Sequence, residues 1–190
     1  MAANINADTS GGLKLTSDTS GVLELKSAGT TIATVNSTGL AMASGKVLAS
    51  TGPTFSAHLS ANQSIPSATF TKIAFNAELF DTNSDYNTGT YRFTPTVAGY
   101  YQINAISILS TVLNTAIITL YKNGAALARG NQQTNNSLQT TRGMPISYLA
   151  YANGSSDYFE IYTYHTTGTT QVILGTSRFS YFQAHLARAA

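Results

Sequence analysis

The sequence predicts an all-β protein: a sandwich of jelly-roll type preceded by a short N-terminal arm of β repeats. Three observations point there. Beyond residue 52, about ten short segments rich in Thr, Tyr, Ile and Val alternate in polarity between turn signals, a pattern that belongs to sandwiches and jelly rolls. No stretch of ten residues keeps a helical period. Charged residues make up 9% of the chain against roughly 25% in ordinary soluble domains, and Thr, Ser, Asn and Gly take their place, a composition suited to pleated surfaces.

The first element is the repeat. Thr9-Ser10-Gly11-Gly12-Leu13-Lys14-Leu15 returns ten residues later as Thr19-Ser20-Gly21-Val22-Leu23-Glu24-Leu25. Looser echoes follow at Gly29 to Val35 and at Thr38-Gly39-Leu40-Ala41-Met42. Each unit is a Gly turn and a short alternating strand. One such strand buries too little to stand alone, so neighbouring repeats or neighbouring chains must supply the missing core. A plain Ser/Gly linker would not explain the ten-residue register. Thr51-Gly52-Pro53 interrupts the pattern and divides the chain into an arm, residues 1–52, and a head, residues 53–190.

The head opens with Phe55-Ser56-Ala57-His58-Leu59. Strands are then expected over Thr69 to Asn76, Thr90 to Thr94, Gly99 to Leu109, Ala116 to Lys122, Pro145 to Ala152, Tyr158 to Tyr164, Thr170 to Leu174 and Arg178 to Leu186. Asn123-Gly124, Asn153-Gly154, Thr167-Gly168 and Gly175-Thr176 mark turns between them. In Thr94-Pro95-Thr96-Val97-Ala98-Gly99-Tyr100-Tyr101, Pro95 ends one strand and Gly99 allows a backbone that a β-carbon would disfavour, which makes a corner. The period of two then sends Tyr101 and Ile103 to one side, and Tyr100 and Gln102 to the other. The second faces are apolar too: Ile117 and Tyr121 oppose Ala116, Ile118 and Leu120, and three tyrosines share one face of Tyr158 to Tyr164. Tyrosine favours interfaces, so an oligomer is expected.

Phe75, Asp81, Tyr86, Phe93, Gly99 and Tyr101 stand six, five, seven, six and two residues apart. This ladder resembles the signature of the C1q-like domains of the C1q/tumour-necrosis-factor superfamily, with Ile103 and Ala105 where that pattern continues in aromatics. Arg178 to Leu186 is similar to that family's closing strand, so the resemblance runs from about Phe55 to Leu186. It implies a jelly-roll head that recognises or adheres, works without catalysis and self-associates as a homotrimer. The arm resembles, in style, the N-terminal arms of phage tail-fibre and head-fibre proteins.

Composition closes off several function classes. The net charge of +2 comes from scattered cations with no basic run, so no phosphate-neutralising stripe for nucleic acid is expected. The chain has no cysteine, hence no disulfide and no thiolate metal site. Met1 to Gly12 lack a basic and apolar leader, and no apolar run reaches the roughly 18 residues of a membrane span. The chain therefore reads as soluble and not exported by the general secretory route.

Candidate chemical sites are weak. His58, His165 and His185 lack metal-ligand spacing. No Gly-x-Ser-x-Gly elbow holds a nucleophile. Gly39 to Lys46 resembles a phosphate loop but has one residue too many, and Val47 stands where Ser or Thr is needed. Asp81, Asn83 and Asp85 carry too few carboxylates for calcium and read as turn chemistry. Asn36, Asn62, Asn135 and Asn153 begin glycosylation sequons that follow from composition. The amide-rich stretch Gly130 to Ser137, continuing to Arg142, reads as a polar hairpin loop, and Gln132, Asn135, Asn136 and Arg142 are its interaction candidates.

The expected role is a non-enzymatic virion protein with no catalytic, cofactor or metal site. It would be a trimeric phage head or tail fibre whose arm attaches to a capsid or tail protein and whose knob meets a host-surface glycan or protein. The alternatives are a secreted adhesion or cytokine-like ligand acting outside cells, and a hydrolase of surface polysaccharide.

Overall fold

The protein is described by a computed structural model covering residues 22–46, 52–175 and 179–190. The chain divides into two compact units, Met1–Thr51 and Gly52–Ala190. In the first, β1 (Leu23–Ser27), β2 (Thr30–Asn36) and β3 (Gly39–Met42) form an antiparallel meander. Its turns use left-handed backbone at Ala28, Gly29 and Gly39. These strands coincide with the last three repeat units. The first unit, with Leu13 and Leu15, lies outside the described residues.

The second unit contains β4 (Thr54–His58), β5 (Gln63–Ile65), β6 (Thr71–Lys72), β7 (Ala77–Asp81), β8 (Tyr86–Asn87), β9 (Arg92–Phe93), β10 (Gly99–Lys122), β11 (Ala125–Ala152), β12 (Phe159–His165), β13 (Gln171–Ile173) and β14 (Tyr181–Ala189). All pairings are antiparallel. The two separate strands expected at 99–109 and 116–122 are one strand, β10. Its first part pairs with β14, from Gly99↔Ala189 to Ile106↔Tyr181. Its last part pairs with β12, from Ala116↔His165 to Lys122↔Phe159. Between them the register slips at Val112/Asn114, and Asn114 takes a φ of 60°. A slipped register bends a strand and raises its twist, so β10 leaves one layer and enters the other. Its hairpin partner β11 accompanies it, with Thr141 at φ 51°.

The result is a jelly-roll sandwich. One layer runs β7-β4-β14-β10-β11, and the other runs β8-β9-β12-β10-β11 with β6 beside β12. Side chains from both layers meet in one core around Phe55, Phe75, Phe93, Tyr101, Phe159 and Phe182, all fully buried. Phe55 on β4 stacks on Phe93 of the opposite layer with centroids 4.5 Å apart.

Each ladder residue has a physical duty. Asp81 caps the following turn, accepting from the Asn83 and Tyr86 amides at 3.2 and 2.7 Å. Tyr86 donates its hydroxyl to the Phe75 carbonyl at 2.8 Å. Tyr101 donates to the Val97 carbonyl at 2.7 Å and pins the corner that Pro95 and Gly99 make. Burial pushes the Tyr101 phenol up to about 12, so it remains a donor at every ordinary pH. At Gly99 the requirement is space: a β-carbon there would stand 2.4 Å from the Arg188 carbonyl oxygen.

Candidate functional site

Strand alternation determines what the first layer shows to solvent. Tyr101, Ile103 and Ala105 point into the core, so Tyr100, Gln102, Asn104 and Ile106 point out. Register sets their neighbours: Tyr100 stands beside Tyr151, Gln102 beside Leu149 and His185, and Ile106 beside Pro145 and Tyr181. The Tyr100 and Tyr151 rings lie 5.5 Å apart. Tyr100, Leu149 and Tyr151 are 44%, 53% and 45% exposed, which makes this a contiguous apolar patch rather than scattered exposure.

The patch continues around the lateral edge formed by β11. A groove of about 210 Å³ lies there between Lys122, Leu127, Tyr148, Leu149, Ala150 and Tyr151. That is below the roughly 300–1,000 Å³ of ordinary small-ligand pockets. Its floor is held rigidly. Lys122 pairs with Asp157 at 2.8 Å and donates to the Tyr151 carbonyl at 2.9 Å. Burial opposes ionisation of Asp157, but bonds from Lys122 and Asn123 win and hold its carboxyl below the usual range.

The opposite layer carries the three-tyrosine face expected from sequence, and it is self-occupied. Tyr121 stacks on Tyr162 at 4.0 Å and Phe70 leans on Tyr164 at 4.8 Å. Beneath them Glu160, 1% exposed, receives Arg92 at 2.8 Å and Lys72 at 3.0 Å. Arg92 also lies over the Tyr158 ring at 4.1 Å. Sequence reasoning missed this cluster, because its cations come from β6 and β9, 88 and 68 residues from Glu160.

The amide-rich stretch is a correction. Gly130 to Arg142 is a continuous part of strand β11, and no loop interrupts it. Gln132 pairs with Ile117, Asn135 with Asn114 and Arg142 with Leu109, so the candidates are strung along an edge strand across the register slip and do not converge. The Asn135 amide nitrogen is buried without a partner, and the side chain of Asn136 lies outside the described residues.

Among the described residues no group of three His, Asp or Glu is placed to hold a metal ion. Asp85 accepts from the Thr96 amide at 3.2 Å, and burial raises its carboxyl above the usual range. His165, fully buried, faces only neutral groups: the Thr167 amide and hydroxyl approach Nδ1 at 3.4 and 3.0 Å, and Nε2 meets the Ile65 carbonyl at 3.3 Å. An amide can only donate, so Nδ1 accepts and the proton sits on Nε2. Burial lowers the imidazole below its ordinary value, outweighing the Ile65 carbonyl, which favours the charged ring. The folded state thus favours the neutral ring. Its contribution is intact above about pH 6.5 and declines at lower pH by up to about 1.4 kcal/mol per pH unit, until the folded form itself protonates. Thermal midpoints measured from pH 8 to 5 should fall steeply in the native chain and less steeply in His165→Gln. Identical slopes would remove His165 as the cause.

A family model described as C1q domain matches residues 54–182. Solved structures with the same architecture include the globular domain of zebrafish complement 1qA protein, 17% identical with a TM-score of 0.56, covering 73% of this chain and 99% of that one. Eiger TNF from S. frugiperda is 11% identical with a TM-score of 0.57, covering 73% and 93%. Murine APRIL is 9% identical with a TM-score of 0.57, covering 71% and 98%. At such identities the likeness is one of fold. Comparison with curated proteins gives no match.

Proposed function

The chain belongs to the C1q domain family, and from that premise we propose that it is a non-enzymatic, homotrimeric recognition or adhesion protein. Proteins of this family are generally non-enzymatic and extracellular, and their domains commonly form homotrimers. The observation that carries the reading is the exposed face of Tyr100, Leu149 and Tyr151 turning into the groove at Leu127 and Tyr148. An exposed apolar surface of this kind is what self-association buries, and a head-to-tail contact closes into a ring where its rotation closes. The family supplies the number three.

Light scattering of the full chain should give the mass of three chains of 20.0 kDa each. Leu149→Glu places a charge on the face without touching the core and should shift the mass to one chain while thermal unfolding stays cooperative. A native chain that is monomeric at micromolar concentration would overturn the reading.

The finer proposal is a short fibre of a virus particle, with the arm anchored to a capsid or tail protein and the head turned outward. It is supported by the repeated β arm and the nearly uncharged composition. On this reading the polar edge bearing Gln132, Asn135, Asn136 and Arg142 contacts a host-surface glycan or protein, and three such edges gain avidity from weak contacts. The same head working as an extracellular ligand of a cellular organism is the alternative. Microscopy of intact particles labelled on the head separates the two: label on particles supports the fibre, and unlabelled particles reject it.

A further inference from the structure

The arm meander is two-sided, and register shows how. Leu23 pairs with Val35 and Leu25 with Ala33; Val35 in turn pairs with Leu40, and Ala33 with Met42. Paired residues share a face, and side chains two apart along a strand do too. Six apolar residues therefore line one face in two rows, Leu23-Val35-Leu40 and Leu25-Ala33-Met42. The other face carries Glu24, Thr34 and the small Ala41, and the register slips at Leu25/Lys26, where Ile32 is passed over; Lys26 pairs with Glu24 at 2.7 Å.

Only Ala33 on the apolar face is buried; Leu25, Val35 and Leu40 are 46%, 39% and 57% exposed. A small meander with one buried residue lacks the core that independent stability requires. The face needs a cover. We propose that its cover is the same face of the other chains of the trimer, the three meanders packing apolar side inward as a short β-walled shaft.

This rests on the trimeric reading of the head and extends it to a second, separate interface. Two observations select the same chain over a foreign partner. In sequence only nine residues, 43–51, lie between the end of β3 and the first residue of the head unit, and no chain of that length spans more than about 3.5 Å per residue. Three meanders of a trimer are thus held at high effective concentration toward one another. The face also carries no charge, so identical copies meet without repulsion, while the Glu24–Lys26 pair stays on the side turned to water.

The chain has no cysteine, which makes single-cysteine cross-linking clean. In the full-length protein Val35→Cys, treated with a short-reach bis-maleimide, should yield one linked pair and one unlinked chain per trimer. Thr34→Cys, on the polar face, should yield no pair. Hydrogen exchange gives the second readout: Leu40→Glu should speed exchange across residues 23–42 at least tenfold, with the trimer mass unchanged. Loss of cross-linking at position 35 in a protein whose mass is still trimeric overturns the shaft and leaves the trimer standing. If residues 23–42 stay protected in that case, residues 1–21 of the same chain cover the face instead. A monomeric mass overturns both.

Discussion

Phe55→Ala is expected to destabilise the head by about 3–5 kcal/mol, the usual range for emptying a buried Phe site. Phe55 has no exposed surface and touches three rings, Tyr86 at 4.7 Å, Phe93 at 4.5 Å and Phe182 at 4.9 Å. Those rings come from both layers, so a cavity at Phe55 opens where the layers meet. Collapse is hindered, because β4 is held between β7 and β14 and cannot shift without breaking two ladders. For a domain of this size the loss corresponds to roughly 6–20 °C in the thermal midpoint. Phe55→Leu keeps most of the volume and should cost less than about 1.5 kcal/mol. Thermal melts at fixed protein concentration make the comparison, since a trimer's midpoint depends on concentration. A drop well short of roughly 6 °C for Phe55→Ala would show that the ring is not packed as described.

The second large effect is expected from Lys72→Ala combined with Arg92→Ala. Neither cation is deeply buried, their side chains being 28% and 39% exposed, but the Glu160 side chain is 2% exposed. Removing both leaves a charge sunk among Tyr121, Tyr158 and Tyr162 with no counter-ion. Stranding one partner of a buried pair costs about 3–5 kcal/mol. The lower end is expected here, since water can follow once the long side chains are gone. Adding Glu160→Gln to the double variant should recover most of the loss, because the penalty is the stranded charge and not the missing contacts. Chemical denaturation of the two variants settles the point: no recovery in the triple variant would mean that the cations act through packing alone.

The fold was largely legible because its signals are local. Phe75, Tyr86, Phe93 and Tyr101 lie in the core, and the corner between Pro95 and Gly99 is where the spacing put it. Ile103 and Ala105, 0% and 3% exposed, fill inward sites where the family pattern has aromatics. Strand lengths were less legible. Thr90 to Thr94 shrinks to Arg92–Phe93, while the strands expected at 99–109 and 116–122 fuse into β10. Polar residues around Asn114 and from Gly130 to Ser137 read as loops because β-propensity reflects burial more than backbone preference. An edge strand facing water can be as polar as a loop and still complete a ladder.

Sequence by itself determined the fold class, the corner, the core ladder and the repeating arm. Each of these follows from residues close together in the chain, where period, turn chemistry and backbone freedom act. Only the tertiary structure decided which faces were left uncovered, which cations reach Glu160 and how β10 crosses between layers. Those outcomes depend on residues tens of positions apart meeting in one register, and no local pattern encodes a partner that distant. The surfaces on which the proposed function rests, Tyr100 with Leu149 on the head and Val35 with Leu40 on the arm, belong to that second kind.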